Sequence, residues 1–196
     1  MNSKIVIGIL GLVMILAAFS IKPAPETYEI DTQKSFIKWK GYHLAKSYEH
    51  NGNISIKSGG LEIENGDLVS GNILIDMTSI TNNDLTKEED NQRLVKDLKS
   101  ERFFNVAEFP EASLTIKSVV KAGDEYKIDA DITIRGITES LSFTALIKSQ
   151  GNSFTFHADL EIDRIKHEVM YGWSIENAML SNKFSLEVEL VAEKGH

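Results

Sequence analysis

The 196-residue chain is 42% hydrophobic and 26% charged, with 21 Lys and Arg against 29 Asp and Glu and no cysteine. A formal charge of −8 argues against nucleic acid or anionic lipid surfaces as partners, since both favour basic patches. Without cysteine there are no disulfides, no thiolate catalysis, no cysteine-linked lipid anchor and no Cys-ligated zinc.

Lys4 is followed by an uncharged apolar run from Ile5 to Phe19, then by Ser20, Ile21, Lys22 and Pro23. A basic start, an apolar stretch and small residues near Ala18 are the marks of a secretory signal peptide, assigned to residues 1–20. An uncleaved anchor is the alternative, but the run is shorter than the roughly 17–25 residues a spanning helix needs. Removing Lys4 with this segment takes the formal charge from −8 to −9. Residues 21–27, with Pro23-Ala24-Pro25, form a stiff lead-in, and 28–193 form one domain. The roughly 175 residues beyond the signal can bury about 70% of their unfolded surface. Export without disulfides points to a periplasmic or secreted protein, with no stable membrane insertion of the mature domain.

From there the chain alternates. Tyr28 to Asp31 is a first short strand, and Ser35 to Gly41 a second, with Ile37 and Trp39 on one face against Lys38 and Lys40. Tyr42 to Asn53 is polar and broken by glycines, so it reads as a loop carrying His43 and His50. Asn53 to Ser58 alternates again, Gly59-Gly60 marks a turn or bulge, and Leu61 and Ile63 continue to Asn65-Gly66, a strong hairpin signal. Leu68 to Met77 follows, with Val69, Gly71, Ile73, Ile75 and Met77 on one side.

The period then changes. Thr86-Lys87-Glu88-Glu89 fits a capping box, and Leu94, Val95 and Leu98 give helical spacing, so one short helix is predicted near 87–99, lying against or closing the sheet. After the Phe-rich stretch from Phe103 to Pro110, strands resume through Ala112, Leu114 and Ile116. Tyr126 to Ile147 reads as a hairpin. Tyr126, Ile128, Ala130, Ile132 and Ile134 alternate with polar residues, and Leu141, Phe143, Ala145 and Ile147 do the same after a break at Arg135-Gly136. If Ile134 faces Leu141, then Ala130 stands opposite Ala145, leaving room that leucines would fill; close fit against Phe or Trp is the other reading. Phe154 to Ile162 and Phe184 to Ala192 are the last strands, separated by an irregular Asp163–Asn182 stretch with Trp173 and Met179.

About eight strands, each with one apolar face, and one helix describe an all-β protein. Two stacked sheets or one closed antiparallel barrel both satisfy the pattern, and closure removes exposed edges.

Catalytic patterns are sparse. His43, His50, His157 and His167 show no ligand spacing, and no metal or cofactor is expected. Asp129, Asp131, Asp159, Glu161, Glu187 and Glu189 sit on polar strand faces and read as solvated surface. No nucleophile elbow, phosphate-cradling loop or H-E-x-x-H is present. Phe103, Phe104 and Phe109 either seal the core beneath the helix or border a cavity mouth.

Three stretches carry a resemblance. Leu98-Lys99-Ser100-Glu101-Arg102-Phe103-Phe104 followed by Phe109-Pro110 resembles the L-x-S-x-x-F-F…[YF]-P signature of the YceI-like family. Ile132-Thr133-Ile134-Arg135-Gly136-Ile137-Thr138 resembles its L-T-I-R-G-V-T hairpin, and Ile75-Asp76-Met77-Thr78-Ser79-Ile80 its I-D-x-x-S-I strand end. The resemblance implies an exported lipocalin-like barrel holding an amphiphile such as a polyisoprenoid, a quinone-like molecule or a fatty lipid, without catalytic residues. On that basis the expected lumen lining is Trp39 of the second strand, Ile73 and Ile75 of the fourth, and Ile116. Further round the wall it continues through Ile128, Ala130 and Ile132, then Phe143 and Ala145, then Phe156 and Leu186. The expected partner is the lipid itself, with a homodimer left open. Two rivals stand beside this reading: an enzyme using His43 or His167 as base on a small lipid or quinone, and a barrel filled by its own side chains that serves as a stress or interaction module.

Overall fold

A computed structural model describes residues 24–44, 48–170 and 178–195; the segment read as a signal peptide, and Trp173, lie outside them. Among the described residues the strands are β1 (Glu26–Ile30), β2 (Phe36–His43), β3 (Glu49–Glu64), β4 (Asp67–Asp76), β5 (Glu111–Ala122), β6 (Glu125–Ile134), β7 (Ile137–Gln150), β8 (Ser153–Asp163) and β9 (Leu180–Lys194). One α-helix, α1 (Glu88–Lys99), lies between β4 and β5.

Strands β2 to β9 pair with their chain neighbours, and β9 returns to β2, so eight antiparallel staves close into a barrel. The ninth strand, β1, pairs with β3 (Glu29↔Gly60) and β9 (Ile30↔Ala192), on from where β2 pairs with the same two strands (Ile37↔Ile54, Ile37↔Val188). β1 and β2 thus share one stave, interrupted at Asp31–Ser35, where the Ser35 amide returns to the Asp31 carbonyl. The alternation read from the sequence is the cause of closure. In β6 every inward residue, from Tyr126 to Ile134, is buried.

Four expectations change. The β6–β7 turn is the two residues Arg135 (φ 52°) and Gly136 (φ 72°), and paired left-handed residues of this kind twist a hairpin as its strands require. The register is therefore Ile134↔Ile137, which sets Ala130 opposite Leu141 and Ala145 opposite Tyr126 and Ala158; the two alanines do not face each other. The expected 42–53 loop is largely strand, with His43 ending β2 and His50 directly opposite Gly41 in β3. Helix α1 begins one residue later than the capping box requires. Its N-cap is Lys87, without a side-chain cap, and Glu88, Glu89 and Asp90 supply the compensating charge against the helix dipole. β8 and β9 also take in both ends of the expected irregular 163–182 stretch, and Arg164–His167 forms a 3-10 turn after β8.

The wall carries a seam between β7 and β8. β7 and β8 pair only from Ala145↔Ala158 to Gln150↔Ser153. Beyond that, the 3-10 turn wedges in, with His167 Nδ1 3.1 Å from the Ile137 carbonyl and Lys166 on Glu139 at 3.3 Å.

At the helix end of the barrel, the chain after β4 runs along the free edge of β3. The Thr81 amide donates to the Asn53 carbonyl and the Asn83 amide to the Asn51 carbonyl. Gly52 permits this approach, because a Cβ there would collide with the Thr81 carbonyl and stand 2.7 Å from Trp39 Nε1. Gly52→Ala is therefore expected to cost about 1.5 kcal/mol, read from the urea midpoint, with a red shift in tryptophan emission. An unchanged midpoint and spectrum would mean that the 81–84 segment gives way without strain.

Candidate functional site

The lumen is divided. At the helix end it holds a cavity of about 750 Å³, whose walls include Ile37, Ile54, Ile75, Leu98, Ile132 and Leu186. Deeper in, inward side chains meet and leave an apolar void of only about 20 Å³. The division follows from side-chain size and from the cover. Helix α1 presents Leu94 and Leu98 to the cavity from above, without filling it. At its C-terminus the chain folds back, the Phe104 amide donating to the Leu98 carbonyl and the Val106 amide to Lys99. That return seats the Phe103 ring edge-on to Phe104 at 5.0 Å, and Phe104 edge-on to Phe184 at 6.2 Å.

The expected lining residues separate accordingly. Trp39, Ile75, Ile132, Leu186, Phe103 and Phe104 border the large cavity. Ile73, Ile116, Phe143 and Phe156 border the small void, which Ile75, Ile132 and Leu186 also reach. Ile128, Ala130 and Ala145 are each about 1% exposed and border neither. Phe109 lies instead against the β6–β7 turn, its ring 3.1 Å from where a Gly136 side chain would begin. Phe143 and Leu160 flank both the void and an outer groove at the seam between β7 and β8.

The rim is polar. Tyr42, His43, His50, Asp97, Arg102, Arg164 and Lys183 border the cavity. Arg164 is 3% exposed and spends its guanidinium on backbone, Nε on the Ser181 carbonyl at 2.7 Å and Nη1 on Val169 at 2.9 Å. Burial holds it below its ordinary value, with neighbouring Asp163 pulling the other way. Lys183 pairs with Glu161. Trp39 Nε1 donates to the Thr81 carbonyl at 3.0 Å.

His50 is held by a carboxylate. Its Nδ1 lies 2.7 Å from Asp84 Oδ2, while Asp84 Oδ1 accepts from the Asn51 amide at 2.8 Å and from the Asn82 side chain at 2.6 Å. Asn91 of α1 ties this group to the helix through the carbonyls of Asn82 and Leu85. Burial pushes the Asp84 carboxyl up, but the donors from Asn51, His50 and Asn82 outweigh it and hold the group below the usual carboxylate range. The Tyr48 ring stands edge-on between the imidazoles, 4.6 Å from His50 and 5.4 Å from His43. Sequence reasoning named His50 but had no means of finding Asp84, which lies 34 positions away.

Of the two candidate bases, His43 borders the cavity, whereas His167 is 1% exposed, hydrogen-bonded to backbone and outside the lining. Burial pushes the His167 imidazole down from its ordinary value, against the opposing hydrogen bond to Ile137. Among the described residues no group of three or more His, Cys, Asp or Glu gathers to hold a metal.

Comparison with known proteins agrees with this architecture. A protein YceI of Escherichia coli O157:H7 is 30% identical over 150 residues, 74% of each chain. A UPF0312 protein of Pectobacterium atrosepticum is 26% identical over 154 residues, 78% of this chain and 76% of the relative. BcnA of Burkholderia cenocepacia shares the fold with a TM-score of 0.67 at 19% identity, covering 83% of this chain and 98% of that one. A YceI protein of Campylobacter jejuni does so at 0.55 and 18% identity, covering 66% and 75%. The model of the YceI-like domain matches residues 28–192, from within β1 to within β9, and the chain belongs to the YceI-like family.

Proposed function

We propose that the protein binds a long-chain amphiphile, a polyisoprenoid, quinone-like molecule or fatty lipid, with its tail in the cavity and its head at the rim, and carries or sequesters it in the periplasm or outside the cell without chemistry. The single observation that supports this most is the unfilled space. A barrel whose other half closes to a 20 Å³ void keeps about 750 Å³ open under its helix, within the roughly 300–1,000 Å³ typical of ligand sites. Hydrophobic transfer is the driving force. At about 0.8 kcal/mol per methylene, ten methylenes supply about 8 kcal/mol, which corresponds to a micromolar dissociation constant before ordering costs. Among the described residues no helix is long and apolar enough to cross a membrane.

Protein purified from its own host is expected to show lipid adducts in native mass spectrometry, released and identified by organic extraction. Folded protein that carries no lipid and takes up none on titration would rule the proposal out.

A further inference from the structure

The seam leaves two strand edges bare. The two-residue turn after β6 makes Ile134↔Ile137 a hydrogen-bonded pair, so Glu139, Leu141 and Phe143, at alternate positions along β7, exchange their bonds with β6. Ser140, Ser142 and Thr144 lie between them and turn amide and carbonyl toward β8 instead. On β8 the phase set by Gln150↔Ser153 turns Asp159 and Glu161 back toward β7. The ladder ends at Ala145↔Ala158, so these groups have no strand opposite them. Among the described residues no turn or loop supplies a backbone bond there. Burial records the same opening. Leu141 and Phe143 point inward yet are only half-buried, whereas Ala145, where β8 rejoins, is buried.

Between the edges runs a groove of about 570 Å³ with a divided lining. Leu141, Phe143 and Leu160 form an apolar floor, while Glu125, Asp159 and Glu161 stand on the outward side. Neither Lys nor Arg borders it. Lys183 pairs with Glu161 from outside, and His157 Nε2 lies 3.7 Å from an Asp159 side chain that is 79% exposed. Among the described residues Glu125 has no ion pair. A second copy of this chain would set these carboxylates against their own kind, which disfavours pairing. A cationic strand would meet them as partners.

We propose that the β7–β8 seam is a docking site for an extended basic segment of another protein, added to the β7 edge as a strand with apolar residues on the floor and Lys or Arg outward. Main-chain bonds to Ser140, Ser142 and Thr144 supply the affinity, and the carboxylates select the charge. The site lies on the barrel wall and is independent of the cavity under α1. Charged residues on a bare edge also guard it against aggregation, but only docking makes the edge bind a matching strand.

The probe is a fluorescein-labelled, N-acetylated heptapeptide of alternating Lys and Val, titrated with the purified protein and followed by anisotropy. In an antiparallel pair its Lys residues, outward like Ser142, are the ones whose amides meet β7. N-methylation at Lys therefore removes those bonds and keeps the charge. The parent protein is expected to bind the Lys-Val peptide at least about tenfold more tightly than its N-methyl form and than a Glu-Val peptide. Thr144→Pro deletes one amide facing the seam, on an edge where proline is tolerated, and should weaken binding about fivefold relative to Thr144→Ala. Glu125→Gln combined with Asp159→Asn should weaken it about fivefold and flatten its salt dependence. Equal binding of the N-methyl peptide would mean a charged surface only, and no binding of the Lys-Val peptide an edge that is merely guarded; either overturns the proposal. So does a concentration-dependent dimer in sedimentation that Thr144→Pro abolishes, because a second copy then takes the edge. Should Thr144→Pro fail to fold, the N-methyl comparison decides alone.

Discussion

Replacing Arg164 with leucine is expected to lower stability by about 4 kcal/mol and the melting temperature by roughly 10 °C. The guanidinium sits 3% exposed beneath the cavity rim and joins two backbone segments: Nε reaches Ser181 and Nη2 reaches Leu180 at the start of β9, while Nη1 reaches Val169 beyond the 3-10 turn. It ties the 3-10 turn after β8 to the start of β9, across the stretch where the seam between β7 and β8 leaves the wall without a ladder. Leucine matches the apolar stem but donates nothing. Each buried carbonyl deprived of its donor costs about 1–3 kcal/mol. Arg164→Lys should recover only part of the loss, because one ammonium cannot reproduce the planar fork. Urea unfolding with an unchanged slope measures the effect, and a loss under about 1 kcal/mol for Arg164→Leu would mean that solvent replaces the guanidinium at these carbonyls.

The staves were legible because a strand with one wet face must alternate, and nothing in β6 or β8 competes with that period. Register was not. Asn65-Gly66 announced its turn, but Arg135 is no usual left-handed residue, so the β6–β7 turn read as a longer break and the alanine rows came out displaced. The helix was visible in Leu94 and Leu98, yet its first turn gave a misleading cap. Thr86 has the right chemistry, but α1 starts at Glu88 and leaves it unused.

The site was less readable than the barrel, and for a physical reason. Alternation tells which residues point inward but not whether inward means filled. Ile75 and Ile73 look alike in sequence, and only the cover above them decides that the first meets open space while the second meets only the small void. The Asp84–His50 bond likewise depends on a chain segment crossing the free edge of β3, which local pattern does not encode. By contrast, the Phe103-Phe104 pair carried its own signal, because two adjacent rings after a short helix have few other places to go than over the open end.

Two alanines on the same inner wall are expected to respond in opposite ways. Ala112 lies opposite Ile75 at the start of β5 and borders the cavity. Ala112→Phe puts a ring into space the ligand would occupy, so amphiphile affinity should fall more than tenfold, the effect of displacing about two to three methylenes. Stability should stay within about 1 kcal/mol, because the ring buries apolar area without displacing protein atoms. Ala145 is 1% exposed, between Tyr126 and Ala158, and borders neither the cavity nor the void. Ala145→Leu adds three carbons where none fit and should cost about 3 kcal/mol, with uptake by the remaining folded protein unchanged. Parallel urea melts and lipid titrations of the two variants separate the effects. If both substitutions lowered affinity and stability together, the cavity and the filled half would form one coupled core, and the division of the lumen would carry no functional meaning.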